Sequence, residues 1–130
     1  MVATVPSLDH LVRSGRVPAI AGWAGEKLHI NPLFEFRDGE AKRLRPSLSV
    51  DAARDRIVEL CLEGGTGGLH VAALHALAPE VALDLLDRVT AEVEPATSFV
   101  AEFGEVMVVH TGPGLAGLAW WWEDGQPEDG

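Results

Sequence analysis

Apolar residues recur with helical spacing in four segments of the chain. In the first segment, Leu8, Leu11 and Val12 share one face of a helix that Ser7 caps and Gly15 ends. The other three helices are predicted over residues 17–27, from Val50 to Glu63 behind the cap Ser49, and from Pro79 towards Pro95. Each segment therefore has an apolar stripe that needs a surface to pack against.

The residues between the second and third helices are typical of a β-hairpin. His29–Phe36 alternates between two faces, with Phe34 and Phe36 on one of them. Asp38-Gly39 is a strong signal for a two-residue turn, because both positions adopt positive φ readily. The return strand is predicted over Glu40–Arg45, with a charged, solvent-facing edge, and Pro46 is expected to end it.

Three further strands are predicted in the second half of the chain. Leu69–Ala76 follows the glycine run 64–68 and is apolar on both faces, which favours a central strand covered on both sides, or nearly so. Thr97–Phe103 and Leu115–Trp122 are the other two. The segment between them, residues 104–110, fits a short helix or a continuation of the strand equally well.

This order of elements predicts an α/β fold, built as an α+β sandwich. We expect one mixed, largely antiparallel sheet of about five strands, flanked by helices. Residues 1–130 are predicted to form a single domain with a flexible tail at 123–130. Alternation along the last strand places Trp121 opposite Trp120 and Trp122, so at least one tryptophan is expected at the surface or in an interface.

The charge of the chain excludes some classes of partner. The net charge is −10, with seven Lys/Arg and five Asp/Glu in residues 1–46 but three and fifteen in residues 47–130. Neither a nucleic acid nor an anionic membrane surface is expected to bind a chain with this excess of negative charge. An anionic small ligand is best bound by the first third of the chain, where positive residues outnumber negative ones. No apolar run approaches the about 20 residues that span a bilayer, so membrane insertion is not expected. With no visible signal peptide and one cysteine, Cys61, we expect a cytoplasmic protein.

Few segments carry the residues of a chemical site. The five histidines are scattered without metal-ligand spacing, so neither a metal nor a cofactor is expected. The glycine run 64–68 lacks the lysine of a phosphate-binding loop, and Cys61 lies on an apolar stripe as a core residue. Two candidates remain, Arg16 at a glycine turn in the basic third and His110 in His110-Thr111-Gly112-Pro113-Gly114. Either side chain can contact an anion, or can simply satisfy the local turn.

Four blocks of the chain also follow the pattern of a known family. They are Leu8-x-x-Leu11-x-x-Ser14-Gly15-Arg16-Val17, His29-Ile-Asn-Pro32 with Asp38-Gly-Glu40, Leu74-His75-Ala76-x-Ala78-Pro79-Glu80, and His110-Thr-Gly-Pro-Gly-x-x-Gly-Leu-Ala119. In this order they resemble the C-terminal half of the DegV-like proteins, which are bacterial fatty-acid-binding proteins. Ser14 departs from that family's pattern, where the first residue of the pair is glycine.

The resemblance implies a carrier rather than an enzyme. A DegV-like carrier holds one long-chain fatty acid between two domains and presents its carboxylate to a fatty acid kinase. By this resemblance His110 lies near the carboxylate, and Arg16 contributes to the anionic end or to kinase docking. The loop residues Thr111, Gly112 and Gly114 complete the implied ligand site. The family's N-terminal domain has no counterpart here, so the chain is expected to be a fragment or a half that works with another chain.

The implied acyl chain needs an apolar slot. Its candidate lining residues, each of which also suits a plain core, are Ile20, Trp23, Ile30, Phe34, Leu74 and Phe99. Without the second domain an apolar face is expected to remain exposed, which favours a homodimer or a higher homo-oligomer. Two alternatives stay open: an assembly module that binds no lipid by itself, and an enzyme that uses His110 as a base beside Glu102 or Glu105.

Overall fold

A computed structural model describes residues 1–5, 31–37, 40–47, 49–103 and 114–125. Its strands are β1 Val2–Thr4, β2 Asn31–Arg37, β3 Glu40–Ser47, β4 Gly65–His75, β5 Thr97–Glu102 and β6 Ala116–Gly125, and its helices are α1 Val50–Leu62 and α2 Pro79–Thr90. The two helices predicted before residue 28 and the ambiguous segment 104–110 lie outside the described residues.

The six described strands form one mixed sheet in the order β3-β2-β1-β6-β4-β5. Neighbouring strands run antiparallel except β4 and β5, which are parallel and are connected through α2. The predicted α/β fold with a largely antiparallel sheet is therefore confirmed. The strand that the sequence did not reveal is β1, because three residues are too few to show an alternating pattern.

Helix α1 confirms its prediction. The Ser49 hydroxyl accepts a hydrogen bond from the Ala52 N–H at 3.0 Å, which caps the first turn. Behind the cap, Ala53, Ile57 and Cys61 are buried along one stripe. Helix α2 buries a stripe of its own from Ala82 to Val89. Both stripes pack on the same side of the sheet, which we call the helix face, against Val71, Leu118 and their neighbours in one core cluster.

Several strands run further than predicted. β3 continues through Pro46 to Ser47, which is allowed because among the described strands β3 pairs only with β2, so no N–H is needed on its outer side. β4 begins at Gly65 instead of Leu69, because Gly65 pairs with Gly125 at the end of β6. Residues 65–68 of the glycine run therefore belong to a strand, and residues 123–125 of the predicted tail lie in β6.

β4 lies between β5 and β6, and its side chains from Leu69 to His75 are buried or half-buried. On the side of the sheet opposite to the helices, however, the neighbouring strands carry Trp121 of β6 at 59% exposure and Phe99 of β5 at 58%. We call this surface of β4, β5 and β6 the open face. An apolar run in the sequence predicts a strand that lies between two other strands. Whether each face of the sheet is buried at that strand depends on the elements that pack on that face.

The three consecutive tryptophans follow the predicted alternation. Trp120 and Trp122 pack against the core cluster on the helix face, and Trp121 lies on the open face. The indole N–H of Trp122 donates to the Cys61 carbonyl at 2.9 Å, so it satisfies a carbonyl at the end of α1. One tryptophan is thus exposed, as the alternation required.

An ion-pair network joins the two helices. Asp84 accepts hydrogen bonds from Arg54 at 2.9 Å and from Arg88 at 3.0 Å. Arg88 also contacts Asp51 at 2.9 Å and Asp55 at 2.6 Å on α1. Burial alone would raise the pKa of the Asp84 carboxyl, but the hydrogen bonds and charges of the two arginines outweigh it and lower that pKa below its ordinary value. Asp84 therefore connects α1 to α2 through both arginines.

We expect Asp84→Asn to lower the free energy of unfolding by about 1 kcal/mol near neutral pH. The lowered pKa means that the charged carboxylate stabilises the fold above about pH 4 and loses this effect as the pH falls through the folded-state pKa. The difference between wild type and variant, measured by urea unfolding, should therefore shrink towards pH 3.

Asp87→Asn is the matched control, because Asp87 is an exposed carboxylate on the same helix. A loss of stability for Asp87→Asn equal to that for Asp84→Asn would contradict a specific role of the network. So would an Asp84→Asn effect that does not change with pH.

Candidate functional site

Three chain segments converge where β4 ends and β6 begins. The Ala76 N–H donates to the Leu115 carbonyl at 2.8 Å, and the Gly114 N–H donates to the Ala76 carbonyl at 2.7 Å. The Phe103 N–H donates to the His75 carbonyl at 2.8 Å. These bonds hold Gly114, the last residue of the predicted His110–Gly114 block, against the end of the sheet.

The turn that leaves β4 is held by a buried histidine. His75 is 5% exposed, and its Nδ1 accepts a hydrogen bond from the Ala78 N–H at 3.1 Å. Between them Leu77 adopts φ +55°, a left-handed conformation that costs a non-glycine residue on the order of 1 kcal/mol. The side chain of Leu77 is exposed. The geometry that directs the chain from β4 into α2 is therefore maintained by the His75 contact and the Ala76 pairing.

A groove of about 250 Å³ lies beside this convergence, on the helix-face end of the sheet. We call it the Gly114 groove. Its described lining residues come from the end of β1, the first turns of the two helices and the segment that leads into β6: Thr4, Val5, Val50, Ala53, Arg54, Val81 and Gly114. The Thr4 hydroxyl donates to the Pro32 carbonyl at 2.7 Å, so that polar group is already satisfied. The groove is thus apolar apart from the guanidinium of Arg54.

Gly114 is suited to its position in the groove by its backbone. Its φ is +107°, a value that residues with a Cβ rarely adopt. Of the five predicted ligand-binding residues, Gly114 is the one that the structure describes. His110, Thr111, Gly112 and the more distant Arg16 lie outside the described residues, so their roles remain predictions.

The predicted acyl-chain slot remains a prediction for the same reason. Ile20, Trp23 and Ile30 fall outside the described residues. Phe34 is buried on β2 in edge-to-face contact with Phe36, their ring centroids 5.4 Å apart. Leu74 on β4 and Phe99 on β5 share its side of the sheet but are separated from β2 by β1 and β6. The described lining of the Gly114 groove includes none of these three side chains.

A second groove, of about 300 Å³, lies on the open face. The imidazole of His70 stacks on the indole of Trp121 with centroids 3.9 Å apart and planes at 7°. His70 Nδ1 lies 2.8 Å from the Thr97 hydroxyl, and its Nε2 lies 3.2 Å from a Glu123 carboxylate oxygen. Both ring nitrogens of His70 therefore have partners, and the stacked imidazole holds Trp121 in its orientation. Phe99 also lines this groove.

Apart from Gly114, the sequence did not reveal the residues that line the Gly114 groove. The sequence carries a weak signal for this groove. Arg54 directly follows Ala53, which lies on the buried stripe of α1, and a charged side chain beside such a stripe requires a partner. That partner, Asp84, is 30 residues away on α2. Only tertiary packing brings the two helix starts together, so spacing along the chain cannot indicate the groove.

The described residues show few of the features that catalysis needs. Within the described ranges, no three His, Cys, Asp or Glu side chains come together as a metal site. Burial raises the pKa of the Cys61 thiol to about 12, which keeps it protonated, and the side chain is fully buried. Among the described helices, none is long and apolar enough to cross a membrane.

The family of the chain follows from comparison with known proteins. A family model described as an uncharacterised protein of the DegV family matches residues 1–123. The chain belongs to the DegV family. A DegV domain-containing protein of Streptomyces coelicolor is 34% identical over 116 residues, which cover 88% of this chain and 41% of that protein. A protein of Thermotoga maritima named fatty acid-binding protein is 28% identical over 116 residues, which cover 88% of this chain and 40% of the relative.

A solved structure supports the same fold. The crystal structure of a fatty acid binding DegV family protein from Streptococcus agalactiae matches with a TM-score of 0.83 at 23% identity, over 95% of this chain and 44% of that one. At this identity the likeness establishes the fold. This DegV-family chain spans about two fifths of the length of the relatives it matches.

We expect the Cys61 thiol to resist alkylation by iodoacetamide in the native protein near pH 8, and to react rapidly after unfolding in guanidinium chloride. Burial keeps the thiol protonated and out of contact with the reagent. Mass spectrometry of the labelled protein measures the rate. Ser98→Cys places a thiol at an exposed position on β5 and serves as the reactive control. Equal labelling rates at the two sites would show that Cys61 is accessible.

Proposed function

We propose that this chain is a lipid-binding module that holds a long-chain fatty acid and takes part in presenting it to a fatty acid kinase. The observation that carries the proposal is membership of the DegV family, whose relative from Thermotoga maritima is named a fatty acid-binding protein. In this proposal the chain corresponds to the C-terminal half of such a carrier. It supplies binding, while the kinase supplies catalysis.

The Gly114 groove supports the proposal as the place where the acyl chain starts. Its walls are apolar apart from Arg54, and each CH₂ group transferred from water contributes about 0.8 kcal/mol. Its volume of about 250 Å³ lies at the lower end of the roughly 300–1,000 Å³ typical of small-molecule pockets. The groove therefore holds part of a long acyl chain, and an N-terminal DegV-like domain in the same or another chain covers the rest.

The predicted ligand loop supports the position of the polar end. His110 lies four residues before Gly114, and four residues span at most about 14 Å. The imidazole is thus within reach of a carboxylate at the mouth of the groove, to which it donates a hydrogen bond. Arg16 provides positive charge at the same end or docks the kinase. In this proposal both residues act in the cytoplasm.

The open face supports association between copies of the chain. Trp121 and Phe99 are more than half exposed on neighbouring parts of one surface, and burial of large aromatic side chains favours assembly. Phe99 also lies on β5, which is an edge strand of the sheet. We propose a homodimer, or a higher homo-oligomer, with this face in the interface.

Native mass spectrometry of the freshly purified protein, followed by lipid extraction, tests the lipid proposal. We expect a bound fatty acid, and at least a tenfold weaker affinity for added palmitic acid in His110→Ala, because the carboxylate loses a donor. His10→Ala removes a histidine elsewhere and should bind like wild type. A wild-type protein that neither carries nor takes up fatty acid would instead favour an assembly module without lipid binding of its own.

A second variant tests the groove itself. Val50 lines it and is exposed, so Val50→Trp places a large ring in the groove at little cost to folding. We expect the affinity for palmitic acid to fall at least fivefold, because the ring occupies the volume of the acyl chain. Leu83→Trp is the control, since Leu83 is equally exposed on α2 but does not line the groove. Unchanged affinity in Val50→Trp would place the acyl chain elsewhere.

Sedimentation velocity tests the association. We expect wild type to sediment as a dimer or larger species, and the double variant Trp121→Ser and Phe99→Ser to sediment as a monomer at the same concentration. Leu83→Ser removes an exposed apolar side chain from α2 and should leave assembly intact. A monomeric wild type, or a double variant that still assembles, would show that the open face is not the interface.

A further inference from the structure

The two edges of the described sheet differ in their protection against pairing with a further strand. β3 forms one edge and carries Lys42, Arg43 and Arg45 together with Pro46, which are residue types that oppose the addition of a strand. β5 forms the other edge and contains neither a proline nor a basic residue, and Glu102 at its end is its single charged residue. The outer side of β5 is therefore the edge that the sequence leaves open.

β5 is accessible on both faces of the sheet. Residues 97–100 are exposed. Phe99 pairs with Ala72, which lines the groove on the open face. Val100 pairs with Ala73, which belongs to the core cluster on the helix face. An added strand would thus contact exposed side chains on both faces of the sheet.

The main chain of β5 also has hydrogen-bonding capacity on its outer side. Among the described strands β5 pairs only with β4. Because N–H and C=O groups point to alternate sides of a strand, part of those in β5 point away from β4, where no described strand pairs with them. These groups are accessible and suit a strand rather than a helix or a small ligand.

Resting on the association proposed above, we propose that β5 pairs edge to edge with β5 of a second copy of the chain. The two strands run antiparallel about a two-fold axis perpendicular to the sheet, and two sheets of six strands become one sheet of twelve. Each copy uses the same surface, as a two-fold interface requires. The protected β3 strands then lie at the two ends, so the assembly closes at two copies.

The residues of β5 suit this self-pairing. With Phe99 on the two-fold axis, its ring meets Phe99 of the second copy on the open face, and aromatic pairs between neighbouring strands are favourable. On the helix face Val100 then lies opposite Ser98 of the second copy. Glu102 lies opposite Ala96 of the second copy, so the two carboxylates are at opposite ends of the pairing and do not face each other.

The same axis relates edge pairing to the open face. It keeps the open faces of both copies on one side of the joined sheet, and the groove that Phe99 and Trp121 line in one copy lies beside its equivalent across the axis. A contact between two open faces stacked on each other would instead leave the edge of β5 unused. The two arrangements therefore differ in the main-chain hydrogen bonds of β5.

Hydrogen exchange of the full chain, followed by mass spectrometry, tests the pairing directly. It compares a concentration at which sedimentation velocity shows the dimer with a dilution that shows the monomer. We expect amides of β5 to exchange about tenfold more slowly in the dimer, because its outer N–H groups gain acceptors. β3 is the internal control, since it is also an edge strand but stays unpaired on its outer side, so its exchange should not change.

Val100→Lys adds a positive charge to the β5 edge on the helix face and leaves the side chains of the open face unchanged. It should sediment as a monomer where wild type is a dimer, because a lysine opposes edge pairing. It also provides the monomer for the exchange measurement if dilution does not separate the copies. Leu83→Lys is the matched control, because it makes a similar change at an exposed residue of α2 and should remain dimeric.

A dimer in which β5 exchanges as fast as in the monomer would overturn the inference and leave the proposed association intact. So would a Val100→Lys variant that still forms the dimer. A wild type that is monomeric at every concentration defeats the proposed association and this inference with it.

Discussion

The antiparallel pairing of β6 with both β1 and β4 is the interaction on which the described structure depends. It inserts the last strand of the sheet between the first strand and a strand from the middle of the chain. Gly117 permits the close approach of β1, since a Cβ there would lie 2.7 Å from the Cα of Ala3. Because β6 starts beside the end of β4, Gly114 and Ala76 become hydrogen-bond partners, and the Gly114 groove forms next to them.

The two faces of the sheet then acquire different properties. On the helix face, α1 and α2 bury their apolar stripes and bring their first turns together beside β1 and Gly114, so the groove joins apolar side chains to the Arg54 side chain. On the open face, the Trp121–His70 stack and Phe99 leave aromatic surface at an edge of the sheet. In the proposed function, the first surface binds the lipid and the second contacts another copy of the chain.

Much of the local structure was predictable because it depends on neighbours in sequence. The cap at Ser49, the stripe of α1, the proline that opens α2 and the alternation of the three tryptophans all match their predictions. The misses have physical causes. β1 is too short to show a period, and Pro46 is tolerated because β3 lies at the edge of the described sheet.

The sequence by itself determined the α/β class, most of the described helices and strands, and the family blocks that point to Gly114 and His110. Each of these is a property of a few adjacent residues or of their order along the chain. Only the tertiary structure decided which side chains meet at the groove. Arg54 and Asp84 are 30 residues apart, and β1 reaches Gly114 only through β6. A site built from several elements depends on strand order and helix packing, which arise from long-range contacts that no local pattern encodes.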